Sequence, residues 1–108
     1  MQIRYDNARI EKICTKEDEM RKFFGYDKRL VEHLQTLIEV LEGLGNIDNM
    51  VKFSGYHYEK VKGTSKTYSL RIIPKQNKSP YRLYLTREEN GIKIVIIDID
   101  KHKYKIRV

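Results

Sequence analysis

Apolar and polar positions along this 108-residue chain change period near Asn46. Before that point the spacing is helical. Leu30, Leu34, Leu37, Leu41 and Leu44 recur at steps of four and three, Val31 and Ile38 widen the stripe, and Glu32, Glu39 and Glu42 take the other side. The pattern predicts an amphipathic helix stopped by Gly43 and Gly45. Fewer than three heptads are present, so packing on the domain's own sheet is expected rather than a coiled coil. Two shorter helices are expected upstream. Ile10, Ile13 and Cys14 mark the first, with Asp6 or Asn7 as its cap. Met20, Phe23 and Phe24 mark the second, opened by a capping box at Thr15-Lys16-Glu17-Asp18 and ended by Gly25. Gln2 to Tyr5 reads as a short strand.

After Asn46 the alternation has period two. Tyr68, Leu70 and Ile72 share one face of a strand, and Ser69 and Arg71 the other. Pro74 to Pro80 is a polar connection. In the following strand Tyr81, Leu83 and Leu85 point one way while Arg82 and Tyr84 point the other. Glu88-Glu89-Asn90-Gly91 reads as a hairpin turn, with its glycine where positive φ is required. Ile92 to Ile99 is apolar on both faces, as a central strand is. The expected fold is a single α+β domain over residues 1–108. A short N-terminal strand and two to three helices pack on one face of a three- to five-stranded, mainly antiparallel sheet. If Leu70 and Leu83 face the helices, Arg71 and Arg82 project together from the opposite, open face. The last strand then delivers Asp100 and His102 beside them, and Lys60 and Lys62 rim the same basic surface.

Charge sharpens this picture. The net charge is +7, yet residues 1–50 carry eight Lys/Arg against ten Asp/Glu, while residues 51–108 carry fourteen against five. Six of the eight tyrosines lie in that basic second half. Such asymmetry attracts polyanions, nucleic-acid phosphates above all, although a solvated basic surface gives the same composition. The longest apolar run, Ile94 to Ile97, is far short of the roughly 20 residues of a membrane span, and no basic-then-apolar leader opens the chain. A cytoplasmic protein is expected, with no membrane partner. The single cysteine, Cys14, lies on an apolar helical face and reads as a buried structural thiol.

The candidate chemistry follows from elimination and fit. KGTSK (Lys62 to Lys66) has too few glycines for a phosphate loop, and no Ser/His/Asp arrangement stands out. Asp98, Asp100 and His102 share strand parity, but cationic neighbours oppose a divalent ion, so neither metal nor cofactor is expected. Metal-free RNA cleavage suits the set better. Arginine forks bind phosphate oxygens bidentately, histidine moves protons near neutral pH, and an aspartate beside a histidine sets its tautomer. His33 and His57 read as plain surface histidines.

The stretches KVKGTSKTYSLRI, PYRLYL and IVIIDIDKHK resemble the RelE/ParE superfamily of bacterial toxins, in its HigB-like "killer protein" branch. MQIRYDNARIEKICT and LVEHLQTLIEVLEGLGNID extend the resemblance over essentially the whole chain. The resemblance implies a ribosome-dependent mRNA endoribonuclease neutralised by a cognate, HigA-like antitoxin, with the ribosome and mRNA as its other partners. It implies catalytic roles for Arg71, Arg82, Asp100 and His102. Lys60, Lys62, Lys101 and Lys103 would hold RNA backbone, and Tyr84 or Tyr104 would offer a ring for a base to stack on. Three positions depart from the family pattern: Lys101 stands for a tyrosine, Glu59 for a histidine and Thr67 for a glycine. Two alternatives belong to other classes: a ParE-like inhibitor of DNA gyrase without nuclease activity, and a non-catalytic RNA-binding module.

Overall fold

The computed structural model describes residues 1–75 and 80–101. Strand β1 (Gln2–Tyr5) leads into helices α1 (Ala8–Thr15), α2 (Glu17–Phe23) and α3 (Lys28–Gly43). Strands β2 (Glu59–Lys60), β3 (Thr67–Arg71), β4 (Tyr81–Glu88) and β5 (Lys93–Lys101) follow, and the sheet order is β1-β5-β4-β3-β2. Neighbours pair antiparallel except β1, which lies parallel to β5 at one edge. The α+β expectation therefore holds.

Caps set the helix starts. The Asn7 side chain accepts from the Ile10 N–H at 3.0 Å, and Asp27 accepts from Leu30 N–H at 3.2 Å, each satisfying an orphan donor of a first turn. The expected capping box at Thr15 does not form. Thr15 still belongs to α1, and its hydroxyl donates back to the Glu11 carbonyl at 2.7 Å, so α2 starts after Lys16 without a side-chain cap. The leucine stripe of α3 is buried as its period requires, and Ile10, Leu34, Leu37 and Leu41 join one core with Leu70, Leu83, Leu85, Ile94, Ile96 and Ile99. Cys14 is buried there too, and that burial pushes its thiol up to about 12, so it stays protonated and inert.

The strand alternation expected directly after Asn46 is displaced. Ile47–Lys52 and Ser54–Tyr56 are short 3-10 helices. Asn46 accepts from the Asp48 N–H at 2.9 Å and donates to the Asn90 carbonyl at 3.0 Å, which ties this segment to the β4–β5 turn. That turn carries Glu89, Asn90 and Gly91 at φ of 48°, 58° and 95°, and a β-carbon at Gly91 would collide with the Asn46 side chain. Arg87 grips Asp48 through both carboxylate oxygens, with Nη2 to Oδ2 at 3.0 Å. The hydrogen bonds from Arg87 hold the Asp48 carboxyl below its usual range. A depressed carboxylate stabilises the fold above its unfolded pKa and loses that contribution as pH falls through the folded value. Asp48→Asn is therefore expected to lower the unfolding free energy read from urea titration at neutral pH by about 1 kcal/mol or less for so exposed a pair. The gap from the parent should close on acidification below about pH 4.

A bulge in β5 decides what the sheet presents. Tyr84 pairs with Asp98, but Leu85 pairs with Ile96, so Ile97 is the extra residue. Before it, Ile94 and Ile96 turn to the helices; after it, Ile99 does. Asp98 and Asp100, an even number of residues from Ile96, are thereby turned to the face away from the helices.

Candidate active site

On that far face two cross-strand rows lie side by side. In one, Arg71 on β3 stands directly opposite Arg82 on β4, and Arg82 stands opposite Asp100 on β5. In the other, Glu59 on β2 stands opposite Ser69, Ser69 opposite Tyr84, and Tyr84 opposite Asp98. Leu70 and Leu83 pair on the helix side, so period-two alternation places the arginines as the sequence implies. Like charges directly opposite in a sheet are destabilising, so two facing guanidinium groups need anions nearby. Asp100 and Glu59 provide them.

The face differs from the open, basic surface expected. Arg82 is only 4% exposed, and the carboxylates of Glu59, Asp98 and Asp100 share the face with the two arginines. A buried guanidinium is tolerated where charged and hydrogen-bonding partners surround it, and β4 is flanked on both sides. Glu59 Oε2 lies 4.0 Å from Arg82 Nη1. It reaches across β3 because the residue between them is a small serine, Ser69. The aspartates are oriented locally: Asp98 accepts from the Ile99 N–H at 2.9 Å and Asp100 from the Lys101 N–H at 2.7 Å. Asp98 is also approached by Arg9 of α1 at 3.8 Å.

Lys60 does not join this group. It pairs with Tyr68, on the helix side of the sheet edge, and in a strand a one-residue step reverses the face. Lys62 sits exposed in the β2–β3 turn, and Lys101, opposite Tyr81, has the parity of the helix side. Tyr84 does lie on the arginine face. His102, Lys103 and Tyr104 lie outside the described residues. Among the described residues, no three His, Cys, Asp or Glu side chains gather as metal ligands.

The residues that sequence reasoning passed over are Glu59 and His57. His57 Nε2 lies 3.1 Å from Glu59 Oε1, and Glu59 turns its other oxygen to Arg82. The contact is local in origin. His57 ends a 3-10 helix in the left-handed region at φ 51°, its N–H donates to the Ser54 carbonyl at 3.1 Å, and the chain enters β2 from there. The sequence shows only that His57 and Glu59 are two residues apart; the left-handed turn at His57 is what brings its ring to Glu59.

The helices and the five-stranded mixed sheet make an α+β fold that a solved toxin structure shares. The YoeB/ParE toxin from Agrobacterium tumefaciens is similar to the chain, with a TM-score of 0.57 and 19% identity over 94% of this chain and 99% of that one. At that identity the likeness is one of fold. No protein-family model and no curated protein matches the sequence.

Proposed function

We propose that the chain is the toxin of a toxin–antitoxin pair, and that it acts as a ribosome-dependent mRNA endoribonuclease without a metal. One observation carries this reading. Arg71 and Arg82, which a sheet disfavours as direct neighbours, are held opposite each other with Asp100 next in line. In the proposed reaction the ribose 2′-oxygen loses its proton and attacks the adjacent phosphorus. The bond from phosphorus to the 5′-oxygen breaks, that oxygen takes up a proton, and a 2′,3′-cyclic phosphate remains. Arg71 and Arg82 neutralise the charge that grows on the phosphate oxygens, and two forks do this better than two point charges. His102 is the proposed proton carrier. The fold shared with a YoeB/ParE toxin supports the same reading.

The antitoxin is a second chain. The cleft between α1 and α2 suits an amphipathic segment with acidic positions, because Ile13 and Phe23 line it beside Arg9 and Lys12, while Lys22 there is paired with Glu19. A second reading, a ParE-like gyrase inhibitor, is favoured by the near-complete burial of Arg82 beside Glu59. Induced expression with sequencing of RNA ends decides between them. Cuts inside translated codons are expected. Intact transcripts with broken DNA would replace the nuclease by the gyrase inhibitor.

A further inference from the structure

We propose that Glu59 and His57 form a proton-controlled gate on the phosphate position of the arginine pair. This rests on the reading that Arg71 and Arg82 receive a phosphodiester. Glu59 stands on their face of the sheet with its two oxygens directed apart, Oε1 to His57 at 3.1 Å and Oε2 to Arg82 at 4.0 Å. An incoming phosphate oxygen carries the same charge and seeks the same guanidinium. Glu59 is therefore a tethered competitor, always present at the site and repelling the anion that would displace it.

His57 controls how strongly it competes. A histidine changes charge in the range of about pH 5 to 8. Neutral His57 leaves the full negative charge of Glu59 against Arg82. Imidazolium at 3.1 Å is the nearer cation, takes over the carboxylate and frees Arg82 for phosphate. Other charges also bear on Glu59. Arg71 on β3 and Arg82 on β4 stand on the same face as Glu59, and Asp100 on β5 is the register partner of Arg82 and adds a second carboxylate to that face. Lys60 and Lys62 follow in the chain, but Lys60 has the parity of the other face and Lys62 lies out in the turn. His57 and Glu59 are both exposed at the sheet edge, so substitutions there spare the core. The expected sign is tighter anion binding as pH falls.

The test uses the full chain and a labelled 2′-deoxy-oligonucleotide, which has no 2′-hydroxyl and is not cleaved. Binding by the parent protein is expected to strengthen about tenfold between about pH 8 and pH 6, the effect of one additional ion pair to the probe. Glu59→Gln should bind more tightly than the parent at the higher pH, with a shallower profile whose remaining slope belongs to His102. His57→Gln should bind more weakly than the parent at the lower pH, with only that same shallow slope. Equal or weaker binding by Glu59→Gln at the higher pH, or an undiminished pH rise in His57→Gln, overturns the gate. Arg71→Ala separates the two proposals. If it binds the probe like the parent, the arginine pair does not receive phosphate. If it binds less well while Glu59→Gln is unchanged, the arginine reading stands and the gate alone fails.

Discussion

On the proposed endoribonuclease reading, Arg82→Ala is expected to lower mRNA cleavage about a hundredfold, the usual consequence of removing one charge-stabilising contact of a transition state, or roughly 3 kcal/mol. In cells the same change should relieve growth arrest. Arg82 is buried, however, and truncating it leaves a void and removes the cation that Glu59 approaches. A loss of activity in this variant alone could therefore reflect partial unfolding. Arg82→Lys removes that ambiguity. It keeps the charge and most of the volume but loses the planar fork that holds two phosphate oxygens at once. The expected result is a folded protein, by circular dichroism and thermal melting, whose cleavage is still well below the parent's. A folded Arg82→Lys or Arg82→Ala protein that cuts transcripts at the parent rate would remove Arg82 from the mechanism.

One position further along β4 the expected effect is of a different kind. Leu83 is fully buried on the helix side, opposite Leu70 on β3 and Ile99 on β5. Leu83→Ala deletes side-chain volume that the surrounding core cannot fully reclaim. The expected loss is about 2–5 kcal/mol, out of a total near 5–15 kcal/mol for a small domain. For a chain of this size that corresponds to a melting temperature lower by on the order of 10–20 °C. At a temperature where the variant remains folded, cleavage per folded molecule should match the parent, because the arginine face is on the other side of the strand. A melting temperature within a few degrees of the parent would contradict the core assignment. Adjacent residues thus divide stability from activity, as period-two geometry requires.

Much of this arrangement is readable from residues alone. The α3 stripe, the Asn7 cap, the Asn90-Gly91 turn and the pairing of Leu70 and Leu83 under the helices follow from local periodicity and turn chemistry. The rest depends on partners far apart in the chain. Thr15 had two uses for its hydroxyl, and the end of α1 took it. Residues 47–56 have enough apolar positions for a strand, but the Asn46 side chain and the Asp48–Arg87 pair hold them as 3-10 helices against the β4–β5 turn. The basic surface anticipated around Lys60 became a mixed one because the β2 register puts Glu59 opposite Ser69 and Lys60 opposite Tyr68.

Local patterning is enough to establish the α+β class and, through alternation within β3 and β4, that Arg71 and Arg82 share a face once Leu70 and Leu83 are buried. Which residues join them depends on long-range pairing. The β2 register brought in Glu59 with His57 and turned Lys60 away, and the bulge at Ile97 turned Asp98 and Asp100 from the helix side to the arginine side. The physical reason is the same in both cases. Side chains alternate strictly along a strand, so the local pattern states which residues go together. A single residue of slip or insertion, set by hydrogen bonds to a neighbouring strand, reverses which face they occupy.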